Sequence, residues 1–249
     1  MLGIAFEGSA CRAAFHVGAI EWFSERGVRF GAVAGASSGA LVAAAVATHR
    51  VDTLREAWTA LLGETAVFQP ARLLRLRWPF MMSHILQEAL DTWVGDQKLS
   101  EADLPLAIPV TRLTLRGRVR RVYTHEHDVS AARVILASCY IPGPYARPVR
   151  LDGGLGVDGA WVERVPVRDV LALGARRALA VVADPHGRLL GDLLRPRVFP
   201  VPDAVRVLHP PEALPLRSFE FDRARTLACF DIGRAAAEDF ARRNEDWLA

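Results

Sequence analysis

Gly35-Ala36-Ser37-Ser38-Gly39 reads G-x-S-x-G, and its neighbours decide what it means. Phe30-Gly31-Ala32-Val33-Ala34 precedes it, short and apolar, fit for a buried strand. Ala40 to Ala47 follows, almost pure alanine, leucine and valine, with no proline to stop a helix. Strand, tight turn and helix together are the setting of a nucleophile elbow. Gly35 and Gly39 let the turn pass close to its neighbours and lift Ser37 clear. The serine hydroxyl then lies over the first turn of a helix, where free N–H groups and the dipole favour negative charge.

Working outward, strands and helices alternate. Leu2 to Phe6 reads as a strand and Ala13 to Arg26 as a helix closed by Gly27. After the elbow helix, Asp52 caps a further helix through Leu62, Gly63 to Pro79 is irregular, and Ser83 to Trp93 is helical. Leu106 to Thr114 and Arg118 to Thr124 form a hairpin around Arg116-Gly117, and Ser130 caps a helix through Ser138. Arg177 to Ala183 and Ala204 to Leu208 are strand-like, and Asp222 to Arg243 closes the chain as a long helix. Such alternation predicts an α/β fold, a mostly parallel sheet with helices on both faces. One domain over 1–249 is expected, with about 63–100 as a cap or lid segment.

Bulk properties narrow the class. Hydrophobic residues make up 51% and charged residues 24% of 249, an ordinary globular balance. The longest uncharged apolar run, around Gly39 to Thr48, is too short to span a bilayer, and no signal peptide is visible, so a cytoplasmic protein is expected. Cys11, Cys139 and Cys229 are odd in number and far apart, against a disulfide framework or metal knuckle. The net charge is +3 and Lys98 is the only lysine. No basic run interleaved with aromatics suggests a nucleic-acid module. His125-Glu126-His127-Asp128 reads as a polar loop rather than a metal site.

A serine nucleophile needs a base. Histidines at 186 and 209 follow the serine in the order of α/β hydrolases, yet both sit beside proline or glycine in loop-like sequence. The other candidate is Asp152 in Leu151-Asp152-Gly153-Gly154, whose double glycine lets other backbone approach the carboxylate. A plain Asp-Gly turn is the competing reading, and Asp158-Gly159 is taken as such a turn. Burial would raise a carboxylate from its free pKa of about 4 toward the useful range for a base. The first strand ends in Glu7-Gly8-Ser9-Ala10-Cys11-Arg12, a small-residue loop that can offer N–H groups to an anion beside the elbow.

Ser37 in G-A-S-S-G, Asp152 in D-G-G and the Arg12 loop together resemble the patatin-like phospholipase family. Ala137-Ser138-Cys139-Tyr140-Ile141-Pro142-Gly143 is similar to the family's A-S-x-x-I-P-G segment. Arg12-Ala13-Ala14-Phe15-His16-Val17-Gly18 is similar to its R-G-x-x-H-x-G helix start. The matching segments run in order between about residues 2 and 183. The resemblance implies a three-layer α/β/α domain and hydrolysis of acyl esters of phospholipids, lysophospholipids or neutral lipids. It implies Ser37 as nucleophile and Asp152 as base of a Ser–Asp dyad, with no metal or organic cofactor. Gly8, Ser9 and Ala10 take the oxyanion positions and Arg12 supports the loop.

The family's loop is G-G-G-x-R-G, whereas this chain has G-S-A-C-R-A after Glu7. Serine or alanine at positive φ would carry strain, and a Glu7 carboxylate facing the hole would oppose an oxyanion. The rival expectations are a non-catalytic lipid-binding relative and a histidine-dependent α/β hydrolase. Arg72 to Met82 mixes arginine with large apolar residues and is expected either to touch a membrane surface or to pack as a cap.

Overall fold

A computed structural model of the chain describes residues 1–61, 68–145, 147–192 and 197–248. The strands are β1 (Leu2–Phe6), β2 (Ala32–Gly35), β3 (Leu106–Thr114), β4 (Gly117–Thr124), β5 (Val149–Leu151), β6 (Gly154–Val157), β7 (Arg177–Val181), β8 (Leu189–Leu190), β9 (Val198–Phe199) and β10 (Val205–Leu208). The α-helices are α1 (Ala14–Glu25), α2 (Ser38–Ala47), α3 (Leu54–Leu61), α4 (Met82–Trp93), α5 (Ala131–Cys139), α6 (Val167–Ala172), α7 (Arg223–Arg243) and the single-turn α8 (Glu245–Leu248).

Among the described residues, the main sheet has the order β10-β7-β1-β2-β3-β6-β5, with β4 also on β3. From β10 to β3 every pairing is parallel, and β4, β6 and β5 add antiparallel pairings at one end. The strand period of two sends Leu2, Ile4 and Phe6 of β1 into one apolar layer and Ala5 into the other. Parallel strands covered on both sides read as continuous apolar runs, which is why β1 and β7 are so poor in polar residues. The larger layer lies against α1, α2, α5 and α7, the smaller against α6.

The alternation in the sequence therefore survives folding as a three-layer α/β/α arrangement. One hairpin was not legible: β5 and β6 turn at Asp152-Gly153, with φ of +48° and +73°. A two-residue Asp-Gly loop with both φ positive is the favoured hairpin connection, because its twist matches the strands. Asp152 is the plain turn after all. Leu62, the expected helix end, and residues 63–67, the start of the expected cap, lie outside the described residues.

Candidate active site

The elbow follows β2. Ser37 has φ +52° and ψ −127°, well outside the regions open to a relaxed non-glycine residue. Close packing imposes this: a Cβ at Gly39 would lie 2.5 Å from the Phe6 carbonyl oxygen, and one at Gly35 would collide with the Gly39 carbonyl. The Ser37 N–H donates to Ser138 Oγ at 2.9 Å, and that hydroxyl donates to the Pro109 carbonyl at 2.8 Å. The serine is pinned through the sheet as well as through its own turn.

Its hydroxyl does not meet Asp152. Ser37 Oγ donates to Asp158 Oδ2 at 2.7 Å. Asp152 is exposed in its turn, and its Oδ2 accepts from the Tyr123 hydroxyl at 2.8 Å. The expected partner is thus corrected to the aspartate six positions on. Asp158 is 1% exposed, and its Oδ1 accepts the Ala160 N–H at 2.8 Å. Its own N–H donates to the Tyr140 carbonyl at 2.8 Å, and its carbonyl accepts from Thr111 Oγ1 at 2.7 Å. Gly159 then passes so near the Pro109 carbonyl that no side chain fits there. Burial pushes the Asp158 carboxyl up to about 7, opposed by the Ser37 and Ala160 hydrogen bonds and the Arg164 charge. A carboxylate near 7 is a competent base at neutral pH.

The loop after β1 is also rearranged relative to expectation. The Gly8 N–H donates to the Arg164 carbonyl at 2.9 Å, and the Ser9 N–H to Ser38 Oγ at 3.2 Å. Both are committed within the protein. Ala10 stands at φ +52°, while Ser9 keeps an ordinary φ of −133°. Among the described residues, no hydrogen bond engages the N–H of Ala10 or of Ser38, the residue after the nucleophile. These two donors, rather than those of Gly8 and Ser9, are free to face an anion.

Glu7 does not oppose that anion. It is fully buried, its Oε1 lies 2.7 Å from Arg164 Nε and its Oε2 accepts the Ala183 N–H at 2.5 Å. Burial raises the Glu7 carboxyl, and Arg164 counteracts it. Arg12 lines the polar cleft at Ser37 together with Gly8, Ser9, Asp158 and Arg164. His16 is wholly buried between the rings of Phe6 and Phe15, and burial pulls it down to about 3, so it is neutral. His209 Nδ1 lies 2.9 Å from the Pro210 carbonyl. Neither His186 nor His209 is among the residues lining the Ser37 clefts. His127 Nδ1 accepts the Thr124 N–H and Asp128 pairs with Lys98, so the His125–Asp128 run is a surface loop.

Ser37 thus sits where a polar cleft meets an apolar one lined by Leu41, Trp58, Met82, Leu86, Ile141 and Tyr145. Sequence reasoning missed Asp158, Ser138, Ser38 and Arg164. The usable signal was the contrast between two Asp-Gly pairs: the first lies between alternating residues at hairpin spacing, the second at the end of the apolar Gly154–Val157 strand.

Comparison with known proteins agrees with this architecture. A family profile described as patatin-like phospholipase matches residues 4–171. An uncharacterized NTE family protein of Mycobacterium tuberculosis is 27% identical over 186 residues, 72% of this chain and 48% of that protein. The lysophospholipase NTE1 of Mycosarcoma maydis is 28% identical over 202 residues, 78% of this chain and 10% of that protein. The chain spans about half the length of the mycobacterial relatives it matches. Among solved structures, VipD from Legionella pneumophila superposes with a TM-score of 0.57 at 12% identity, covering 95% of this chain and 66% of that one. The type III effector ExoU gives 0.52 at 11% identity, covering 97% and 52%.

Proposed function

This chain belongs to the patatin-like phospholipase family, and on that premise we propose that it is a serine hydrolase of lipid carboxylic esters working through a Ser37–Asp158 dyad. The observation that carries this reading is the 2.7 Å hydrogen bond from a strained serine to a buried carboxylate. Asp158 takes the Ser37 proton as Oγ attacks the ester carbonyl. The Ala10 and Ser38 N–H groups receive the oxyanion, helped by the N-terminus of α2. Collapse of the tetrahedral intermediate expels the alcohol, which recovers the proton from Asp158. Water, deprotonated by the same carboxylate, then releases the fatty acid from the acyl-enzyme. No step calls for a cofactor. Phospholipid and lysophospholipid esters are the substrates suggested by the family and by the name of the fungal relative.

Residues 68–93 serve as the cap of this site and as its contact with the bilayer. Leu74 and Leu76 are 89% and 99% exposed, and Trp78 is half exposed beside Arg75 and Arg77. The segment leads directly into α4, whose Met82, Ile85 and Leu86 line the apolar cleft. A strip of leucine, tryptophan and arginine suits the headgroup boundary of an anionic membrane. Among the described residues no helix is long and apolar enough to cross a membrane.

Labelling with an alkyl fluorophosphonate followed by peptide mapping tests the proposal. Modification of Ser37, abolished in Ser37→Ala, is expected together with turnover of a soluble nitrophenyl ester. An unlabelled Ser37 and no turnover would leave the chain a non-catalytic lipid binder.

A further inference from the structure

The apolar cleft at Ser37 does not stand alone. A second cavity lies behind it, and Leu41 and Trp58 line both. Both are open at their mouths and lined mainly by apolar side chains. The same helix faces run through both. On α2, Ser38 and Leu41 face the first cavity, and Leu41, Ala44, Ala45 and Thr48 the second, a spacing of three and four. On α4, Met82, Ile85 and Leu86 line the first, and Ala89, Leu90 and Trp93 the second. Trp58 comes from α3 and is 5% exposed. Arg50, Gln97 and Lys98 line the second cavity too, so its lining turns polar away from the helix faces it shares with the first.

The geometry points to an acyl-chain channel in two compartments, with the Leu41–Trp58 pair as the partition that sets the chain length accepted at Ser37. This deepens the hydrolase reading and rests on it. Along α2 the distance from Ser37 to Leu41 is about 6 Å, and to Thr48 about 16 Å, at 1.5 Å per residue. With C–C bonds near 1.5 Å, an extended chain advances roughly 1.3 Å per carbon, so the first compartment is about five carbons long and the two in line about twelve. A hexanoyl chain reaches the partition. A dodecanoyl chain must pass it. Beyond the partition the lining is of small residues, Ala44, Ala45 and Ala89.

The test compares kcat/KM for nitrophenyl hexanoate and dodecanoate. In Trp58→Ala the dodecanoyl-to-hexanoyl ratio should rise more than tenfold, since each methylene buried is worth roughly fourfold. Leu41→Ala opens the partition from the opposite wall and should raise the ratio in the same direction. It also serves if Trp58→Ala melts early by circular dichroism. Adding Ala45→Phe to the opened protein fills the second compartment and should return the ratio to its starting value. An unchanged ratio in the folded opened variants, or a gain that survives Ala45→Phe, overturns the channel. A second arm needs no catalysis: in a Ser37→Ala background, dodecanoate binding by calorimetry should tighten at least tenfold on Trp58→Ala and slacken on Ala45→Phe. Failure of labelling and turnover with this binding pattern intact would remove the hydrolase reading and keep the channel. Equal dodecanoate affinity across the series would remove the channel whatever the activity.

Discussion

Ser37 and Asp158 stand at the ends of two strands that approach each other head-on along one edge of β3. β2 runs parallel to β3 and pairs with Leu106 and Ala107, whereas β6 runs antiparallel and pairs with Thr111 to Leu113. β4 occupies the other edge of β3 along its length. The gap between β2 and β6 falls at Pro109, whose carbonyl takes the Ser138 hydroxyl and crowds Gly159. Nucleophile and base therefore emerge into one gap in the sheet, more than a hundred residues apart in sequence.

The two aspartates separate cleanly by mutation. Asp158→Asn should lower kcat on a soluble ester by a hundred- to ten-thousand-fold, the usual worth of a positioned base. Asp152→Asn should change it less than twofold, because that carboxylate accepts only a Tyr123 hydroxyl at the surface. Ser37→Ala combined with Asp158→Asn should be little worse than either alone, since the pair acts as a unit. The reverse ranking of the two asparagine variants would reinstate Asp152.

The raised Asp158 carboxyl has two pH signatures. Only the ionised form accepts the serine proton, so kcat/KM should climb with pH and level off above about 7. For stability the direction is opposite. A carboxyl pushed up on folding favours the native state below its unfolded pKa of about 4 and loses that contribution as pH rises through about 7. Asp158→Asn should therefore melt above the wild type by a margin that widens between pH 5 and pH 8. A pH-independent margin would show the carboxyl to be unperturbed.

Ala10 carries strain that glycine would release. A non-glycine residue in the left-handed region costs roughly 1–2 kcal/mol, against about 0.5–1 kcal/mol for the added chain entropy of glycine. Ala10→Gly should raise the melting temperature slightly and leave or improve kcat. Ser9→Gly should lower the melting temperature, because Ser9 has no strain to relieve. Parallel thermal melts of both proteins decide the matter.

Glu7, just ahead of the loop, is a fully buried carboxyl paired with Arg164. Breaking such a pair typically costs about 3–5 kcal/mol. Glu7→Ala should lower the melting temperature by at least about 6 °C for a chain of this size. Glycine at position 7 is thus expected to harm the protein. A melting temperature within a degree of wild type would show the pair to be idle.

Surface charge governs the proposed bilayer contact. Replacing Arg72, Arg75 and Arg77 with glutamine should weaken binding to phosphatidylserine vesicles several-fold at low salt and leave hydrolysis of a soluble ester intact. Added salt should erase the difference between the proteins, since exposed charges are screened. Leu74→Asp and Leu76→Asp should weaken binding at every salt concentration. Equal vesicle binding throughout would assign the segment to packing alone.

Local chemistry by itself determined a good deal. The elbow, the flanking strand and helix, the β3–β4 hairpin, the Ser130 and Asp222 caps and the long last helix all follow from periodicity, capping and glycine placement within a few residues. Ser37 was legible because its strained turn is encoded by the two glycines beside it. Only the tertiary structure decided which aspartate meets Ser37 and which N–H groups stay free. Both Asp-Gly pairs favour a turn; the alternation around the first hints at a hairpin tip, but only the fold buries the second in the gap of β3 beside Ser37. Likewise the fates of the Gly8, Ser9 and Ala10 donors depend on the Arg164 carbonyl and the Ser38 hydroxyl, brought there by elements remote in sequence. Chemistry set by contacts between distant segments is fixed by sheet order and register, and those belong to the folded chain as a whole.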